Sequence, residues 1–411
     1  MTSDERQSYR ARWIVPVASD PIANGTIGIE SRRIVELHAS DDPETVDLGN
    51  VAIIPGLVNA HTHLEFSDLN EPLQPDASFT DWIRTLVSYR RTRTVTPPES
   101  AKRGYDESAC SGTTLLGEIA TEGWQSKAFA GDGPRVVVFR EILGLDSSRI
   151  DEQLDLAKQH LGLAPPISPA ISPHAPYSVH PELFHGLVGL AKEARIPLAI
   201  HLAETCAELK LLESGEGPIV EMLRGFGVWR DGIFSNGTRP FDYLKAMAGL
   251  EQVLIVHGNY LSDDEIDFLA EHPEMTVVYC PRTHAFFGHD EHPWRQMLER
   301  GVSLAIGTDS RASNPDLSLW NELKFLYARF PDVNPAKLLE LGTINGARAL
   351  GLDALTGSLA PGKSADLAVV ALGQADDADP YRTLFVEQNQ ITRTMCRGNW
   401  VEPGTEELRS K

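Results

Sequence analysis

Two histidines one residue apart, His61 and His63, close the apolar run "IIPGLVNAH" within the stretch Ile53 to Asp68. Side chains two apart on a strand point to the same face, so both imidazoles can reach one ion. Two histidines carry little information by themselves, and an isolated pair of this kind is more often structural than chemical. Other polar residues share its position. His174 closes "ISPAISPH", His201 closes "IPLAIH", His257 closes "QVLIVH" and Asp309 closes "VSLAIGTD". Each follows a short apolar or β-branched run, which reads as the carboxyl end of a buried strand. A catalytic divalent-metal site takes three or four N/O donors and leaves a position for water. His61, His63, His201 and Asp309 are the expected ligands.

The chain must carry these donors to one place. Eight runs of that kind follow one another: "VAIIPGLVNAH", "GTTLLGEI", "PRVVVFRE", "ISPAISPH", "IPLAIHL", "QVLIVHG", "MTVVYCP" and "VSLAIGTD". Between several of them, "PELFHGLVGLAKEA", "SDDEIDFLAEH" and "PWRQMLERG" have helical spacing. Strands alternating with crossover helices predict an α/β fold, a (β/α)8 TIM barrel, in which the strand ends form one catalytic rim. Histidines scattered through a core would show no bias toward that rim. Roughly the first fifty residues read instead as short strands, "ARWIVPV", "GTIGIES" and "RIVELHA", broken by Pro21 and by Asn24-Gly25. The C-terminal end returns to that character in "ADLAVVAL" and "ITRTMCRGNW". Residues 1–54 and 353–411 are expected to form one small composite β-sandwich domain beside a barrel spanning 55–352.

Composition narrows the function. At 411 residues the chain exceeds the size of a usual single core, in keeping with a large and a small domain. Asp+Glu 58 against Lys+Arg 37 gives a net charge of −21, which repels phosphate backbones and anionic lipid. Nucleic-acid and membrane partners are therefore not expected. The start, "MTSDERQSYRARW", carries no apolar segment of signal-peptide length, and no apolar run approaches the ~20 residues that span a bilayer. Cys110, Cys206, Cys280 and Cys396 are scattered without a CxxC pair, which points to a reducing compartment and a cytoplasmic location.

Taken together, "PGLVNAHTHLE", "HLAE", "VHGNYLSDDEI", "GTDSRASN" and "GSLAPGKSADLAVV" resemble the amidohydrolase superfamily, in its branch of cytosine, guanine and adenosine-type deaminases and chlorohydrolases. The resemblance runs over nearly the whole chain. It implies a mononuclear centre in which His61, His63, His201 and Asp309 hold one divalent ion, zinc or alternatively iron. Members with two metals bridge them with a carboxylated lysine, commonly at the end of strand four. Here that strand ends in "SPHAPYSVH", with His174 and no lysine, so a single metal is expected.

The chemistry follows from the ion, which lowers the pKa of water toward ~7 while Asp309 takes the remaining proton. By the resemblance, His257 orients the attacking oxygen and stabilises the addition intermediate. Glu204, three residues beyond His201, protonates the ring nitrogen beside the attacked carbon and relays protons to the departing amine. Read singly, these residues have blander accounts. A lone His257 or His174 is more often a hydrogen-bonded packing residue, and Glu204 also suits a helix start, where acids are favoured. His174 is expected to touch the substrate rather than the metal.

The long segment after strand one holds "SFTDWIRTLVSYRRTRT", with Phe79, Trp82, Ile83, Leu86 and Val87 at helical spacing and Ser78-x-x-Asp81 as a capping box. It is either an ordinary amphipathic helix packed on the barrel or a lid whose Trp82 or Phe79 covers an aromatic base. Glu65, directly after the HxH strand, is placed to contact the ring, as a polar residue does at this point of the motif in guanine deaminases.

Within the branch, "NAHTHLEFS", "SPHAPYSVH", "FTDW" and "GTDSRASNPDLSLWNELK" look most like the aminofutalosine deaminases of the alternative menaquinone route. Those enzymes convert the 6-amino group of an adenine nucleoside derivative to a carbonyl. Their substrate also carries a benzoate, so an arginine near the rim is expected: Arg140 after strand three, Arg282 after strand seven or Arg311 after strand eight. "CPRTHAFFGHDEHPW" adds His284, His289 and His292 beside strand seven, as polar surface, substrate contacts or ligands of a second ion. The expected partner is a small aminated heterocycle, and homodimers are common among members. Three functions stay open at this point. One is an adenine-type aminohydrolase, with adenosine, S-adenosylhomocysteine and guanine among the substrates. The second is a chlorohydrolase or amidohydrolase acting on an s-triazine or an amide. The third is a silent scaffold, against which every expected ligand is in place.

Overall fold

The computed structural model of the chain describes residues 6–39, 44–74, 78–163, 167–234, 237–373 and 379–402. Eight parallel strands lie side by side in chain order: Leu57–Thr62, Thr113–Ala120, Arg135–Ile142, Ser168–Pro173, Leu198–Leu202, Val253–His257, Met275–Tyr279 and Ser303–Ile306. The sheet closes on itself where Thr62 bridges Asp309 in parallel and the Asp309 amide donates to His61 O at 3.1 Å. The seam of the barrel thus runs through two of the expected ligands. Alternate strand residues turn inward. Val58, Leu115, Phe139, Ala170, Ala199, Leu254, Val278 and Ala305, one from each strand, share a single buried cluster. Their neighbours Ile171, Ile200, Ile255 and Leu304 pack outward with helix residues such as Leu187 and Leu211. Helix Ile344–Ala349 closes the floor with Ala347 and Ala349.

On the seam a side chain substitutes for part of the missing ladder. Asn59 is fully buried, donates to Thr308 Oγ1 at 2.8 Å and accepts from the Thr308 amide at 3.1 Å. Asn59→Ala leaves a buried N–H without its partner, so it is expected to destabilise the fold by about 1–3 kcal/mol. Urea denaturation should report a lower midpoint at constant slope. An unchanged midpoint would show that the seam does not depend on this amide.

Strands from both ends form one mixed sheet: Gln7–Ile14, Ile22–Glu30, Arg33–Ala39, Val46–Asp47, Val51–Pro55, Leu367–Ala371, Gln390–Cys396 and Asn399–Trp400. Val51–Pro55 lies at its centre, parallel to the first strand and antiparallel to Leu367–Ala371. The sheet curls until Arg33 bridges Ser364, enclosing Ile14, Ile27, Ile53, Leu367 and Met395.

Two local readings of the sequence are corrected. "VAIIPGLVNAH" is not one strand, because it breaks at Gly56 as the chain passes from the mixed sheet to the barrel. A Cβ on Gly56 would stand 2.1 Å from Thr114 Oγ1, so only glycine permits this crossing. Asn24-Gly25 does not break its strand, which runs on to Glu30. Asn24 takes φ 49°, a left-handed value that asparagine tolerates better than most residues. Among the described residues no helix is long and apolar enough to cross a membrane. Cys110, Cys206, Cys280 and Cys396 are all free thiols.

Candidate metal centre and active-site cavity

Local irregularities aim the site residues. Val58 and Ala60 face the barrel interior, so strict alternation would turn His61 outward. A register shift between Asn59 and Thr62 re-aims it, as bulges do. On the sixth strand Leu254 faces inward and His257 would face out, but His257 has φ 70°, and Asp309 has φ 58°. Such backbone costs of order 1–3 kcal/mol per non-glycine residue and persists where its surroundings hold it. Here His292 Nε2 donates to His257 O at 2.8 Å, and the bond to His61 O holds Asp309.

Five side chains converge. His63 Nε2 is 3.3 Å from His201 Nε2, and Asp309 Oδ1 is 3.8 Å from the Nε2 atoms of both His61 and His63. His61, His201 and His257 form one group, and His61, His63 and Asp309 another, each with donor atoms within 4.8 Å of one another. His201 Nδ1 donates to His174 O at 2.9 Å, which leaves Nε2 bare and turned to the centre. His61 Nε2 is buried without a hydrogen-bond partner, a condition that a bound cation relieves. Burial, then the neighbouring imidazoles, holds His61, His63 and His257 well below the usual histidine range, and His201 falls to about 4. All four rings are therefore neutral at neutral pH, the form that ligates. This is a buried, histidine-rich metal site whose imidazole and carboxylate donors suit zinc.

Glu204 stands beside it, with Oε1 3.4 Å from His257 Nε2. Its backbone is clamped from two sides. The Glu208 carboxylate accepts from the amides of Ala203 at 2.9 Å and Glu204 at 3.0 Å, and Asn259 Nδ2 donates to Glu204 O at 2.9 Å. Thr205 caps helix Cys206–Ser214, so Glu204 precedes that helix rather than belonging to its first turn. Burial, then the charges of Asp309 and Glu208, pushes Glu204 well above the usual carboxylate range. Burial raises Asp309 to about 7. Both shifts favour the protonated form of the carboxyl.

A cavity of about 490 Å³ opens above these groups, under helix Phe79–Thr92. His174 and Trp82 line it. Trp82 Nε1 donates to Ala312 O at 3.2 Å, and its ring lies 6.0 Å from Phe79 and 5.0 Å from Phe287. The helix is thus both packed on the barrel and the roof of the cavity, and Ser78 Oγ caps it by accepting from the Asp81 amide.

Glu65 and Arg140 do not line the cavity. Glu65 is turned to Arg90 at 2.7 Å and Arg93 at 3.0 Å, and accepts from Thr121 Oγ1 at 2.8 Å. Arg140 donates to Ala120 O and Thr121 O, because it alternates with the inward Phe139 and Glu141. Arg282 pairs with Asp316 and Glu322, and Arg311 with Glu107. The arginines that do line the cavity are Arg90, Arg91 and Arg149, none of them singled out above. For the first two a signal existed: each stands four residues after a lining apolar residue, Leu86 or Val87, on the same helix face. His284, His289 and His292 form no second metal group among the described residues. His292 supports His257, and His289 Nδ1 meets the Tyr260 hydroxyl at 3.2 Å.

A family model described as "Amidohydrolase family" matches residues 52–401. The chain belongs to the amidohydrolase family. This amidohydrolase is a hydrolase acting on C–N bonds. It is 31% identical over 379 residues to the 5-methylthioadenosine/S-adenosylhomocysteine deaminase of Nitratidesulfovibrio vulgaris, covering 88% of this chain and 81% of that one. It shares its fold with the aminofutalosine deaminase of Helicobacter pylori in complex with methylthio-coformycin, at TM-score 0.84 and 21% identity over 96% of this chain and 100% of that one. It likewise shares its fold with a zinc-bound adenosine deaminase of Xanthomonas campestris, at TM-score 0.76 and 24% identity over 96% and 92%.

Proposed function

We propose that this amidohydrolase is a metal-dependent deaminase of an adenine nucleoside derivative, in which His61, His63, His201 and Asp309 hold the ion. The observation that carries the reading is the Glu204 carboxyl, 3.4 Å from His257 Nε2 and beside the histidine–aspartate cluster, in a cavity under an aromatic helix. A divalent ion supplies Lewis acidity there and brings the pKa of water toward ~7. Every other part falls to the chain. Glu204, whose protonated form burial favours, gives its proton to the ring nitrogen next to the carbon that bears the amine. His257 Nε2 hydrogen-bonds the oxygen that adds to that carbon. Asp309 takes one proton from the same oxygen and passes it to the amine, and the second proton of that oxygen returns to Glu204. The water oxygen stays as the carbonyl and the amine leaves as ammonia.

The 5-methylthioadenosine and S-adenosylhomocysteine named for the curated relative, and the aminofutalosine named for the structural one, all extend an adenine nucleoside. The mouth of the cavity fits such an extension. Apolar Leu143, Phe226 and Val228 stand there partly exposed, together with Arg91, which in a chain of net charge −21 favours an anionic end group, whereas Arg149 is paired with Glu152 at 2.7 Å. The test is ammonia release from adenosine, 5-methylthioadenosine, S-adenosylhomocysteine, aminofutalosine and guanine. Turnover of adenine nucleosides is expected. Arg91→Ala should lower kcat/KM about tenfold for the carboxylate-bearing members alone. Absence of ammonia from every adenine nucleoside would overturn the reading.

A further inference from the structure

One buried carboxylate in the cavity has no part in this chemistry. Glu141 stands one residue before the end of the third barrel strand, on the inward face it shares with Val137 and Phe139, and its side chain is 3% exposed. It lines the cavity, and among the described residues none donates a hydrogen bond to it. Its Oε1 lies 3.9 Å from His174 Nε2. The tautomer of that ring follows from its other side. Both contacts of Ser178 Oγ are satisfied together when its proton goes to Ala175 O at 3.1 Å, which can only accept. The serine oxygen then accepts from His174 Nδ1–H at 2.6 Å, and Nε2 is left with its lone pair. Two acceptors therefore stand side by side on one wall. Arg90, bonded to Glu65, lines the same cavity and keeps a buried Nε without a partner.

A buried acceptor without a donor costs free energy that a ligand recovers by supplying one. Acceptors 3.9 Å apart call for two O–H or N–H donors on neighbouring atoms. The ring nitrogens of a purine present lone pairs and would leave these acceptors unpaired, whereas adjacent hydroxyls satisfy both and can also accept from Arg90. Resting on the nucleoside-deaminase reading, we propose that Glu141, paired with His174, is a specificity-determining residue that accepts from the vicinal hydroxyls of a ribosyl substrate. The free base and the deoxygenated sugar are then the poor substrates.

The experiment compares kcat and KM for adenosine, 2′,3′-dideoxyadenosine and adenine in the metal-loaded wild type, in Glu141→Leu and in Glu141→Gln. The wild type is expected to favour adenosine over the dideoxy compound by about 100-fold in kcat/KM. In Glu141→Leu that preference should shrink to a few-fold, through a raised KM for adenosine. Glu141→Gln keeps the shape and one acceptor and serves if the leucine variant does not fold, with an expected loss of preference of about tenfold. Equal wild-type rates with and without the hydroxyls would overturn the proposal, as would a variant that keeps the full preference. So would a fall in kcat common to both sugars, which marks a purely structural role. Preference for free adenine would overturn this proposal alone, while failure of every adenine compound would fell the deaminase reading beneath it.

Discussion

Replacing His63 by alanine is expected to empty the chain of its divalent ion and to lower deamination by about 10³-fold or more, with the fold retained. The size follows from the several kcal/mol of charge stabilisation that a catalytic ion provides. The fold survives because the barrel seam lies one residue earlier, in the Thr62–Asp309 bridge and the Asn59–Thr308 bonds. His63 itself faces only the centre, with Nε2 3.3 Å from His201 and 3.8 Å from Asp309. Elemental analysis, ammonia release and near-UV circular dichroism measured on one preparation separate the three effects. A competing outcome has a structural meaning. His61, His201 and His257 form a second compact group of donors, so full metal content and turnover in the variant would move the centre to those three imidazoles.

Glu204→Gln is expected to leave metal content unchanged and to reduce kcat for deamination by about 10²–10⁴-fold, the usual worth of a positioned general acid. Glutamine keeps the volume and the clamp formed by Glu208 and Asn259, which acts on backbone atoms, but it has no carboxyl proton to give. The contrast between leaving groups makes the prediction specific. The amino group must be protonated to depart as ammonia and chloride need not be, so 6-chloropurine riboside should lose far less activity than the 6-amino compound. Equal losses on the two substrates would make Glu204 a merely structural carboxylate, and undiminished deamination would place the acid elsewhere.

How much of this site could be read along the chain depends on whether a residue's position is set by its own strand. The donors at strand ends were legible, because a parallel barrel puts every carboxyl end on one rim. The side taken by Arg140 was legible too, yet Arg140 was expected at the rim and Glu141 beside it was passed over. The run "RVVVF" places Val137 and Phe139 inward, and the same alternation carries Glu141 into the cavity and Arg140 out of it. Alternation misleads for His61 and His257. One sits in a bulge and the other has a positive φ, and neither leaves a mark in residue type.

From its order of residues alone, then, this chain determined an α/β barrel with both ends folded into one accessory sheet, and the imidazoles and carboxylate that meet at its rim. Those features follow from periodicity and strand ends, which are local. Tertiary structure alone decided which partners hold Glu65, Arg282 and Arg311 away from the cavity. Glu65 pairs with Arg90 and Arg93, Arg282 with Glu322 and Arg311 with Glu107. Long flexible side chains choose partners by reach and burial across elements distant in the chain, and no spacing encodes that choice.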